Sequence, residues 1–177
     1  MTDGSIPLPI GLDGTRHRDL TGRRASRWRR AVMSALCAIA VLALLDTFGQ
    51  CSSVTVVRSP SATLLVDSPS RVRGGLVLTS EIVVTTTRGL ADARVFLGRG
   101  WFQGMSVNTI EPSPRTESSD GEWLIFGVGR IRAGHAYHLW LSLQTNPTNV
   151  GGHNQDVALY DGRVLVATAH RSFFVFP

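Results

Sequence analysis

Hydrophobic and polar positions fall into two regimes along this chain of 177 residues. From Ala31 to Leu45 nearly every position is apolar, and Asp46-Thr47-Phe48-Gly49 closes the run. From Ala62 onward the texture changes. Short β-branched, aromatic and aliphatic runs alternate with polar residues, and turn residues interrupt them about every eight to twelve positions. The first regime reads as one helix, the second as the strands of a sandwich or barrel.

The helical regime carries a topological expectation. Residues 31–49 would rise about 28 Å at roughly 1.5 Å per residue, close to a hydrocarbon core of about 30 Å. An arginine cluster precedes them, with Trp28 set among Arg23, Arg24, Arg27, Arg29 and Arg30. Basic residues beside a span stay on the cytoplasmic side. The pattern therefore predicts a single-pass protein of the cell membrane with four parts. These are a disordered basic cytoplasmic tail at 1–30, a transmembrane helix at 31–49, a linker at 50–61 and an extracytoplasmic domain at 62–177. Trp28, Arg29 and Arg30 would anchor the inner boundary where Ala31 begins the span. Phe48 would lie near the outer headgroups, where Asp46 reaches water at reduced cost. A cleaved secretory signal is the competing reading, although Phe48-Gly49-Gln50 departs from a small-x-small site. Ala31, Ser34, Ala35 and Ala38 recur at helical spacing and form a small-residue face. In lipid such a face pairs helices, so membrane lipid, another integral membrane protein or a second copy are the expected partners.

Alternation in the second regime predicts individual strands. Residues 76–87 place Leu76, Leu78, Ile82 and Val84 on one face and Val77, Thr79, Glu81 and Thr85 on the other. Residues 91–97 bury Ala93, Val95 and Leu97. Residues 122–128 set Trp123 and Ile125 against Leu124 and Phe126. Residues 136–145 alternate strictly, with Tyr137, Leu139, Leu141 and Leu143 opposed to His138, Trp140, Ser142 and Gln144. Asp161-Gly162 between two β-prone runs predicts a hairpin with a two-residue loop. The final run, Ser172–Pro177, reads as a docked strand, since such a terminus is ordered only when packed. The expectation is a mainly β fold, an immunoglobulin-like β-sandwich of seven to nine strands behind the single helix. A short β-prone patch, Val54–Val57, falls in the linker.

Charge narrows the function classes. The net charge is +5, but the first thirty residues hold seven Arg against three Asp, and the chain has no Lys. Residues 62–177 carry no basic stripe with interleaved aromatics, which argues against nucleic acid. Cys37 lies inside the apolar run and Cys51 just beyond it, so the domain must be stabilised by its core rather than by a disulfide.

Several segments carry a family resemblance. Gly100-Trp101-Phe102-Gln103-Gly104-Met105, Asn108-Thr109-Ile110-Glu111-Pro112, Asn146-Pro147-Thr148-Asn149-Val150-Gly151 and Val175-Phe176-Pro177 resemble a group of uncharacterised actinomycete-type single-pass membrane proteins. That resemblance implies a basic tail, one span and an extracytoplasmic β-domain, and it brings no catalytic or binding residues. Ile131-Arg132-Ala133-Gly134 before a long strand is similar to a step in bacterial Ig-like adhesion modules.

Catalytic signatures are sparse. His135 and His138 fall on opposite faces, while His153 and His170 are isolated, so no metal site is expected. Glu117, Asp120 and Glu122 around Gly121 read as a solvated turn rather than a calcium loop. Neither a nucleophile elbow nor a phosphate-binding glycine loop occurs, and no cofactor or small-molecule substrate is indicated. Trp101, Phe102 and Met105, flanked by glycines, are read either as core or as an apolar lip for a partner. The functional expectation is a non-catalytic, membrane-anchored interaction module for a neighbouring membrane protein or envelope component. A carbohydrate-binding or hydrolytic β-domain is the alternative.

Overall fold

A computed structural model describes residues 23–44 and 50–177. The chain divides into two units, one up to Thr47 and one from Phe48 onward. In the first, helix α1 spans Arg23–Leu44. Among the described residues no helix is long and apolar enough to cross a membrane. This corrects the expected transmembrane helix and the single-pass, cell-membrane placement built on it. The reason is where the helix begins. α1 starts within the arginine cluster and carries Arg23, Arg24, Arg27, Arg29 and Arg30 in its own first turns. Only 31–44 is free of charge, about 21 Å at roughly 1.5 Å per residue, well short of about 30 Å. Trp28 and the small-residue face of Ala31, Ser34, Ala35 and Ala38 lie on α1 with exposed side chains. Pairing through that face was expected only in a lipid setting. Asp46 and Phe48 lie outside the described residues.

The second unit is a mainly β, sandwich-like body. Its strands are β1 (Ser52–Arg58), β2 (Ala62–Pro69), β3 (Arg71–Arg73), β4 (Val77–Thr86), β5 (Leu90–Gly98), β6 (Met105–Glu111) and β7 (Thr116–Asp120). They continue as β8 (Trp123–Ile131), β9 (Ala136–Thr145), β10 (Gly151–Asn154), β11 (Val157–Asp161), β12 (Val164–Ala169) and β13 (Ser172–Phe176). One 3₁₀ turn, Arg99–Trp101, follows β5. Thirteen strands exceed the seven to nine expected, because the segment read as a linker holds β1 and several loops hold short strands.

Three sheets result, in the orders β1-β2-β4-β9-β6, β12-β11-β5-β8-β7 and β10-β13-β3. The first two contribute inner faces to one hydrophobic core. Leu64, Val66, Ile82, Val84, Leu139 and Leu141 come from one, and Val95, Leu97, Phe126, Val157 and Leu159 from the other. Burying each such side chain contributes about 1.5–3 kcal/mol. The third sheet supplies Phe173 and Val175 from β13, the strand expected to dock. β13 lies between its two neighbours, antiparallel to β10 and parallel to β3.

Two local expectations shift by one residue. Leu76 is exposed and precedes β4, because its carbonyl is held by Thr145 N–H and its own N–H turns back to Arg73 O. The β11–β12 loop is Gly162-Arg163 rather than Asp161-Gly162, since Asp161 pairs with Val164. Asp161 stays in the ladder because its carboxylate accepts the Asp92 N–H at 2.8 Å. Gly162, at a φ of +61°, makes the turn that a Cβ would strain.

Polar residues also reach the interior. Ser80 Oγ donates to Ser68 Oγ at 2.7 Å, and Gln155 is wholly buried beside them. Arg171 is buried too. Its guanidinium donates to Val66 O at 2.6 Å and Ser68 O at 2.7 Å, tying the approach to β13 onto β2. Burial pushes the Arg171 pKa down, and Asp67 opposes that shift.

Candidate binding surface

The five strands β1-β2-β4-β9-β6 present their second face outward. Inner positions along β2, β4 and β9 are buried, so the residues between them must point away from the core. Register then lines these outward residues into rows. One row runs Val56, Leu65, Val83, His138 across β1, β2, β4 and β9. The next runs Val54, Asp67, Glu81, Trp140, Glu111 and reaches β6.

A solvated sheet face is ordinarily polar. This one is not. Val54 is 56% exposed, Val56 42%, Val77 49% and Trp140 43%, with Leu65 and Val83 half-buried between them. Arg58, Asp67, Glu81 and Glu111 supply charge around this apolar centre.

Side-chain contacts orient the centre. His138 Nδ1 lies 2.7 Å from Glu81 Oε1, so the ring turns its Nδ1–H toward the carboxylate. The same ring stacks on Trp140, with centroids 5.4 Å apart and planes 17° from parallel. One face of the indole is thereby covered and the rest is open. Asp67, in the same row, accepts a hydrogen bond from Ser52 Oγ. Beneath the face, burial raises the Tyr137 phenol above its ordinary value. The arrangement offers apolar contact framed by acceptors and one guanidinium. It holds no nucleophile paired with a base, and no cavity.

The residues singled out from the sequence are distributed differently. Trp101 is wholly buried, and its Nε1 donates to Asp156 O at 3.2 Å. Phe102 and Met105 pack half-buried against the core. Trp101 is therefore core, while Phe102 and Met105 are only half covered. His135 is exposed beside Ala133 O, whereas His170 Nδ1 meets Asp156 Oδ1 at 3.2 Å. Glu117 and Asp120 are exposed in the β7–β8 hairpin, and Glu122 faces Arg99 at 3.7 Å. Among the described residues no three metal-ligating side chains converge. The outward halves of β4 and β9 were legible in the alternation. The contributions of Val54, Val56 and Leu65 were not, because they depend on which strands become neighbours.

No family model matches the chain, and no curated protein matches it. Among solved structures it is similar to a non-cellulosomal cohesin from the hyperthermophilic archaeon Archaeoglobus fulgidus. The TM-score is 0.40 at 10% identity, over 71% of this chain and 91% of that one. It is also similar to a GH20 exo-β-N-acetylglucosaminidase from Vibrio harveyi, with a TM-score of 0.33 at 10% identity. That match covers 71% of this chain but only 18% of the glycosidase. At these values neither likeness bears on what this chain binds or does.

Proposed function

We propose that the β-body is a binding module that docks a partner protein through the outer face of β1-β2-β4-β9-β6. The observation that carries this reading is the outward apolar patch of Val54, Val56, Leu65, Val83 and Trp140, spread over two adjacent rows with Asp67 and Glu81 set among them. A desolvated aromatic and aliphatic centre with a polar rim is the anatomy of protein interfaces. Flatness favours a protein over a small molecule, which needs a concave site. The stacked His138 also disfavours a sugar lying on Trp140, because one indole face is already occupied.

A photocrosslinker placed at position 140 of the full chain tests the proposal, with position 118 on β7 as the comparison. The reading expects one protein crosslinked at 140 and not at 118. That protein, purified and recombined, should lose at least tenfold in affinity with Trp140→Ala or Val56→Glu, in keeping with an aromatic anchor. Equal crosslinking at both positions, or unchanged affinity in both variants, would overturn it.

A further inference from the structure

A different part of the body carries a second site. Two clefts, of about 470 and about 530 Å³, share Arg99, Gln103, Glu122 and Trp123 in their walls. They are two lobes of one groove. The Arg99–Glu122 pair, 3.7 Å apart and exposed on both sides, stands between them. One lobe is polar and adds His153, Asn154 and Asp156. The other adds Phe102 and Leu124 and is largely apolar.

The chain builds this groove by clamping the 3₁₀ turn. Trp101 is sunk in the core, while its Nε1 and the Gly98 N–H both donate to Asp156 O. Gly100 lies so close to β10 that an added Cβ would collide with the Asn154 backbone. Arg99 and Gln103, at either end of this turn in sequence, stay exposed and line both lobes. His153 Nε2 is buried and has no hydrogen-bond partner.

The lining selects a chemistry. Arg99 donates, Glu122 and Asp156 accept, Gln103 and Asn154 do both, and Trp123 adds a half-exposed indole. The walls carry one guanidinium, Arg99, against two carboxylates, Glu122 and Asp156, and Glu122 already faces Arg99. A phosphate or carboxylate would need an uncommitted cation, and these walls offer none. A neutral ligand with many hydroxyls and an apolar ring face meets every group present. Each lobe falls within the range of about 300–1,000 Å³ of small-molecule sites. We infer that the groove binds a neutral oligosaccharide lying across the Arg99–Glu122 pair, with one sugar ring against Trp123. This site is independent of the outer sheet face, and its failure would leave the docking reading untouched.

The test uses the full chain with cellotriose, chitotriose, xylotriose and maltotriose, and glucose 6-phosphate as the anionic comparison. Saturation-transfer NMR and tryptophan fluorescence read binding. At least one neutral trisaccharide should bind, and glucose 6-phosphate should not. Trp123→Ala should weaken binding roughly tenfold, as expected for the loss of an aromatic contact. Gln103→Leu, on an exposed side chain, should weaken it several-fold even where the tryptophan variant fails to fold. Trp140→Ala should leave it unchanged. Absence of transfer from all four trisaccharides, tighter binding of glucose 6-phosphate, or indifference to Gln103→Leu would overturn the proposal.

Discussion

The two large sheets treat their outward aromatic residues differently. On β12-β11-β5-β8-β7, Phe96 packs against Tyr160 with centroids 4.5 Å apart and against Trp123 at 6.4 Å. Ala158, beside Phe96 in the ladder, is buried although it faces outward. That sheet covers its own aromatics. On β1-β2-β4-β9-β6 the side chains of Val54, Val56 and Trp140 stay open. The second sheet opens Val164 and Leu165 at the start of β12, whereas on the first sheet the open residues surround a tryptophan, and that combination needs its own explanation.

The strongest way to disturb this contrast lies at the end of β2, which carries Leu65 and Asp67 on the open face. Arg171→Met would remove the charged donor from the buried Val66 and Ser68 carbonyls. Denaturant unfolding should show a loss of about 2–5 kcal/mol, since each lost hydrogen bond to a charged donor costs about 1–3 kcal/mol. A loss below about 1 kcal/mol would mean that the guanidinium is not what holds β2 in place.

A paired comparison sharpens the contrast directly. Phe96→Ala uncovers Tyr160 and Trp123 and should cost about 2–3 kcal/mol, less than a wholly buried Phe. Trp140→Ala on the other sheet should cost about 1 kcal/mol or less, as for a surface position. Equal losses would erase the distinction between a self-covered and an open face.

The smallest effect is a titration. With Tyr160→Phe, the remaining phenol is Tyr137. Its phenolate absorbance should appear above pH 10, because burial raises its pKa. Below pH 10 both folded and unfolded states keep the phenol neutral, so stability is unaffected. Above it the unfolded chain ionises first, and stability falls as pH rises toward the folded value. A midpoint at or below 10 would show that the space behind the open face is wetter than described.

How much of this was legible in the sequence depends on range. Alternation along β4 and β9 identified Thr79, Glu81, His138 and Trp140 as outward residues, since period two is local. The row those residues join was not legible. It needs β1 and β2 to pair beside β4, and register between distant segments leaves no local mark. β1 itself was hidden by Ser52-Ser53 and by Ser59-Pro60-Ser61, which read as linker. The groove was hidden for a similar reason. Trp101 and Phe102 drew notice as large side chains, whereas the groove's polar walls, Arg99, Glu122, His153 and Asp156, are scattered along the chain. The buried Arg171 had no local signal, because only its distant carbonyl partners make burial tolerable. The helix misled for a simpler reason. The apolar run covers only the later part of a helix that begins several charged residues earlier.

The parallel pairing of β13 with β3 has a consequence in time. β3 covers residues 71–73 and takes its partners from 174–176. β3 is the outer strand of its sheet, so during synthesis it must wait without a strand partner until residues 174–176 are available. Pairing over such a separation is slow and leaves sheet edges open to the wrong neighbours. The small sheet therefore cannot close before β13 is in place.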